Sequence, residues 1–163
     1  DNPMHPAKII MHQAQRLVSL ADDLPKIRPK RDSLQLLFLI ICAEHIAKLH
    51  DNFTKEGKSR AFVRQFFKVL VSQPDQDILT CGFIHQHPRR MLNIEEVADF
   101  LYDVRCDVVH EGMYWGFSFR YDGIPMMNIN PKITVTIALS DLRDIVIRCC
   151  INAIKSYEGR PNQ

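Results

Sequence analysis

The chain contains no Cys-x-x-Cys pair, no glycine-rich phosphate loop and no Ser-His-Asp order. These absences leave out the common zinc signatures, the glycine-loop nucleotide binders and the serine-triad hydrolases. Internal repeats and low-complexity tracts are also missing. Disulfides are not expected. The five cysteines (Cys42, Cys81, Cys106, Cys149 and Cys150) are odd in number and two are adjacent, which fits neither a zinc cage nor a disulfide framework. A reducing, cytoplasmic setting is the expectation. The longest apolar run, Leu36 to Ala43, is too short to span a bilayer and meets Glu44 and His45, so no membrane partner is expected. No signal-peptide pattern opens the sequence. Charge of one sign is lacking too. With 21 Lys and Arg against 19 Asp and Glu, the net charge is +2, which demands no large nucleic-acid footprint and leaves room for a local one.

What is present describes one globular domain spanning residues 1–163. Apolar residues make up 46% and charged residues 25%, and the length is enough for a real core. Helical periodicity places Ile10, Ala14, Leu17, Val18 and Ala21 on one face of a first helix, from about Pro6 to Leu24. The prolines of "LPKIRPKR" then break the pattern. Asp32 or Ser33 is placed to cap a second helix, Leu34 to about Asp51, apolar nearly all round and therefore expected at the centre. A third helix is expected from about Ser59 to Ser72, with Phe62, Phe66, Phe67 and Leu70 inward, and a short helix or turn around Asp75 to Ile84. "HQHPRR" reads as a loop. Asn93, with Glu96 three residues on, opens a helix whose stripe is Ile94, Val97, Ala98, Leu101, Val104 and Val108, and Gly112 is a natural stop.

Beyond Gly112 the period changes to two. Trp115, Phe117, Phe119 and Tyr121 alternate with smaller or polar residues, and Ile133, Val135 and Ile137 do the same, predicting two strands with a turn at Asp122-Gly123. A last helix, capped by Ser140 or Asp141, carries Leu142, Ile145, Val146, Cys149, Ala153 and Ile154. The expected fold is mainly α: a helical bundle with a β-hairpin or small antiparallel sheet inserted before the final helix.

The sharpest chemical signal is Arg105 with His110 in "LYDVRCDVVHEG". This stretch resembles the HEPN superfamily of helical domains, which carries Arg-x4-6-His near the end of a late helix. The likeness in element order extends from roughly residue 7 to 157. The resemblance implies a homodimer that cleaves RNA without a metal or cofactor, with single-stranded RNA as substrate. Arg105 and His110 would be the catalytic pair, with Cys106 and Asp107 beside them as binding residues.

The chemistry suits these residue types. When a 2′-hydroxyl attacks the adjacent phosphate, histidine supplies proton transfer near neutral pH, and arginine's planar fork fits the phosphoryl oxygens. Five residues turn an ideal helix by about 140°, so the two side chains converge only if the helix ends at His110 or a two-fold dimer pairs two copies. Cys106 stands where active members commonly have a polar residue. The alternative is therefore a non-catalytic HEPN-like interaction or nucleotide-binding module, paired with an antitoxin or another defence partner. A plainer reading has Arg105 paired with Asp103 or Asp107, and His110 capping carbonyls.

Other features favour structure over chemistry. His85-Gln86-His87 has a metal-ligand spacing, but nothing nearby completes a site. Glu44 and His45 end the most apolar stretch and read as satisfied core partners. "IRPKR" and "HPRR" are local basic clusters, most simply solvated loop and alternatively phosphate contacts. Trp115, Phe117 and Phe119 are better explained by packing than by base stacking.

Overall fold

A computed structural model of the chain describes residues 5–51, 58–128 and 132–158. Among these residues six α-helices, α1 (Pro6–Ile27), α2 (Asp32–His50), α3 (Ser59–Gln65), α4 (Gln73–Gly82), α5 (Ile94–Glu111) and α6 (Leu139–Glu158), build one core. Four short strands, β1 (Phe83–Gln86), β2 (Arg89–Met91), β3 (Met126–Asn128) and β4 (Ile133–Val135), form an antiparallel sheet in the order β2-β1-β4-β3. The mainly helical class with a small antiparallel sheet before the last helix is as the sequence predicts.

The apolar content of α2 decides its place. It packs against α1, α3, α5 and α6, and buries Leu36, Leu39, Ile40, Cys42, Ala43, Ile46 and Ala47. By length and composition α2 is also apolar enough to cross a bilayer, but half of that window is buried within the bundle. Each fully buried aliphatic side chain adds roughly 1.5–3 kcal/mol of transfer free energy. Phe66 and Phe67 are adjacent in sequence and both fully buried, with rings at 5.2 Å edge to face. A regular helix would point them about 100° apart. Here α3 widens into a π-turn, Phe66–Leu70, closed by the Val71 amide on the Phe66 carbonyl at 3.1 Å.

Several local expectations are corrected. α1 continues through Pro25 to Ile27, because a proline in the last turn forfeits only its own amide bond, and the helix stops where Arg28 precedes Pro29. Neither Asp32 nor Ser33 caps α2. The Asp32 carboxylate accepts the Phe119 amide (2.8 Å) and the Ser33 hydroxyl donates to the Phe117 carbonyl (3.5 Å), a tertiary use that outcompetes the local one. α6 begins at Leu139, ahead of both Ser140 and Asp141, so neither stands before the helix as its cap; Asp141, in the first turn, accepts the Ala138 amide at 2.8 Å.

Of the alternating residues 115–121 only Phe117 and Phe119 are buried, while Trp115 and Tyr121 are exposed, and the segment forms no ladder. It is held by Asp32, Ser33 and the Ile137 carbonyl instead, and β4 pairs with β3. "HQHPRR" belongs to the hairpin β1–β2, turning at a cis His87-Pro88 peptide. Gly82, where α4 passes into β1, has Ile137 so close that a Cβ would lie 2.6 Å from its Cγ2.

Candidate functional site

α5 carries the predicted motif, and its two ends are defined locally. At the start, Asn93 accepts the Glu96 amide (2.8 Å) and Glu96 accepts the Asn93 amide (3.3 Å), the reciprocal capping pair expected. At the end, Gly112 takes φ 67°, a left-handed conformation that glycine adopts without a Cβ penalty. The amides of Gly112 and Met113 both fold back onto the Asp107 carbonyl.

Arg105 projects from α5 toward α2. Its guanidinium lies 3.9 Å from Glu44 Oε2 and 5.4 Å from the centre of the Tyr102 ring, and its buried Nε has no hydrogen-bond partner. Glu44 is 5% exposed, and its Oε1 accepts from Ser59 Oγ at 2.7 Å and lies 2.8 Å from Lys48 Nζ. Burial pushes this carboxyl up, but the hydrogen bonds from Lys48 and Ser59 and the charges of Lys48 and Arg105 outweigh it and hold Glu44 below its ordinary range. One carboxylate facing an ammonium and a guanidinium leaves this half-buried cluster with a net positive charge. Arg105 thus pairs with an acid from another helix, not with Asp103 or Asp107.

Another face of α5, next to the one that carries Arg105, is zipped to α3. Arg60, Arg64 and Lys68 repeat every four residues, as do Glu95, Asp99 and Asp103 opposite. Arg64 forks onto Asp99 (2.7 and 2.8 Å), Arg60 bonds Asp103 and Asp99, and Lys68 reaches Glu95 at 2.9 Å. The fork from Arg64, opposed by partial burial and aided by both arginine charges, lowers the Asp99 carboxyl. Arg60 also lies 4.7 Å from the Tyr102 ring, so two guanidiniums contact one phenol. Burial, and then a hydrogen bond with Cys106, raises the Tyr102 hydroxyl.

His110 is exposed and has no hydrogen-bond or ion-pair partner among the described residues. α5 stays helical through Glu111, which removes the option of a helix ending at His110. Within one chain the imidazole therefore lies about 140° around the axis from Arg105. Asp107 is exposed on a third side, where it lines a cleft of about 340 Å³ with Asp103, Val104, Met113, Gly116 and Phe117. Cys106 is half-buried beside Tyr102. The four predicted residues thus share a helix end but not one pocket of a single chain.

His85 Nδ1 contacts the Pro88 carbonyl (3.2 Å) and the His87 amide (3.3 Å), so this ring organises its own turn. Sequence reasoning missed Lys48, Ser59 and Tyr102 as neighbours of Arg105. The four-residue spacing of Glu44 and Lys48 was legible as a helical ion pair. Ser59 lies beyond a helix boundary and carried no such signal.

No family model, curated protein or solved structure matches this chain.

Proposed function

We propose that the chain is a HEPN-type domain that cleaves single-stranded RNA as a homodimer, without a metal, using Arg105 and His110. The observation that carries this reading is the state of the two side chains. Arg105 is held in a net positive cluster with an unused Nε, and His110 stands exposed and unpartnered in the last turn of the same helix. Arg105 would bind the scissile phosphate. The 2′-hydroxyl attacks phosphorus, the 5′-oxygen leaves with a proton from the His110 imidazolium, and the hydroxyl proton passes to water or to a neutral second imidazole. The products are a 2′,3′-cyclic phosphate and a 5′-hydroxyl.

The divergence along α5 makes the dimer part of the reading, because only a second copy can set an arginine opposite a histidine. Val109, Met113 and Trp115, exposed within five residues of His110 in the chain, suit burial against that copy.

Cleavage of single-stranded RNA in EDTA tests this directly. Arg105→Ala and His110→Ala are expected to lower the rate by roughly two to four powers of ten. Equal activity in all three proteins, or none in the wild type, overturns the reading.

A second reading, a non-catalytic HEPN-like partner-binding or nucleotide-binding module, is favoured by one contact. The Glu44 carboxylate already faces the guanidinium that a phosphate would need. Recovery of a specific protein partner together with inert purified protein would select it.

A further inference from the structure

The cations of this molecule fall into two groups. Most of those on helix faces are matched by acids, as in the α3–α5 zipper. In the last turn of α1 Lys26 pairs with Asp23, but in the loop that follows Arg28, Lys30 and Arg31 are exposed and have no carboxylate within ion-pair distance among the described residues. Arg31 only touches the Lys30 carbonyl, at 3.4 Å. Acids close by are otherwise engaged. Asp22 is forked by Arg143, and Asp32 is bonded to the Phe119 amide, with burial raising its carboxyl. Asp122 is the one nearby exposed carboxylate without a partner among the described residues.

An aromatic ring lies beside one of these cations. Lys30 Nζ lies 5.5 Å from the Tyr121 ring centre, and Tyr121 is 55% exposed, so stacking area remains. Loop and ring form one unit, because the bonds from Asp32 to Phe119 and from Ser33 to Phe117 tie the start of α2 to the segment carrying Tyr121. That segment begins at Gly112, directly after the His110 turn. Nine residues span at most about 30 Å.

We propose that the α1–α2 loop and Tyr121 form a landing surface for single-stranded RNA. Arg28, Lys30 and Arg31 hold phosphates, and the Tyr121 ring stacks a base. Clustered unpaired cations supply sequence-independent affinity, and an exposed ring beside them accepts any base by its π-face. The surface rests on the ribonuclease reading and adds to it: Arg105 and His110 break the bond, while this loop holds the strand that leads to them.

The test uses the full chain carrying His110→Ala, so that RNA stays intact, and anisotropy of a short fluorescein-labelled oligoribonucleotide across a salt series. Adding Arg28→Ala, Lys30→Ala and Arg31→Ala together is expected to weaken binding at least tenfold and flatten the salt slope by about 2, the value for three lost phosphate contacts on a single strand. Tyr121→Ala should weaken binding by about 5- to 100-fold, with Tyr121→Phe close to the parent. All four side chains are exposed, so thermal melts should be unchanged.

Unchanged affinity and slope overturn the surface even if wild-type protein cleaves RNA. Loop-dependent binding by a protein that never cleaves supports the surface and overturns the nuclease reading. Binding to phosphatidylserine vesicles with none to the oligoribonucleotide overturns the surface in favour of a membrane.

Discussion

The two ends of α5 are built on opposite terms. Its first three turns bury Val97, Ala98, Phe100 and Leu101, carry a reciprocal cap, and present Glu95, Asp99 and Asp103 to matching cations on α3. Its last turn exposes Val109, His110 and Glu111, and none of these has an ion-pair partner among the described residues. Arg105 stands at the border, half-buried against Glu44 and Tyr102. A residue whose bonds are all satisfied holds the helix in place, and one left unsatisfied at a fixed position is free for a ligand. The contrast puts the proposed site where packing stops.

The strongest test of that contrast is truncation in the packed half. Leu101→Ala removes a fully buried side chain and should cost about 2–5 kcal/mol in urea unfolding. A loss below about 1 kcal/mol would mean that the two halves do not differ as described.

At the border, Glu44→Ala strips the acceptor from Ser59, Lys48 and Arg105, and should cost about 1–3 kcal/mol. Acid sharpens the same point. Glu44 and Asp99 have carboxyls lowered in the folded state, so the stability they contribute is whole above the ordinary carboxylate range and is lost as pH falls through their depressed values. Glu44→Gln should therefore show a shallower loss of stability than wild type between about pH 5 and pH 2. A parallel acid limb would remove Glu44 from the account.

Smaller effects follow at the termini of the helix. Asn93→Ala deletes one side of the capping pair and should cost about 1 kcal/mol. His110→Ala should change stability by no more than about 0.5 kcal/mol, read by the same urea titration. A larger loss would show that His110 has a structural role and would weaken its place in the proposed site.

Much of this architecture was legible residue by residue. The 3.6-residue stripes of α1, α5 and α6 became buried faces, the all-round apolar α2 took the centre, and Asn93, Glu96 and Gly112 set the limits of α5 as their local chemistry requires. Strands were harder. Residues 115–121 have the period of a strand, but their amides found Asp32 and Ile137, while "HQHPRR", with a proline in its turn, forms the turn of a hairpin and the strand ends beside it. The candidate site was legible in its residue types and in the divergence of five positions along a helix. The Glu44 partner of Arg105 was not, because nothing in the local sequence joins positions 44 and 105.

The sequence by itself determined which residues would be buried, where α5 begins and ends, and that an arginine and a histidine lie near its finish. Those properties follow from side-chain period and from hydrogen bonds within a few residues. Only the tertiary structure decided which acid Arg105 faces, which cations go unpaired, and which of the alternating segments pair as strands. Each of these depends on contacts between groups far apart in the chain, where packing geometry overrides local preference.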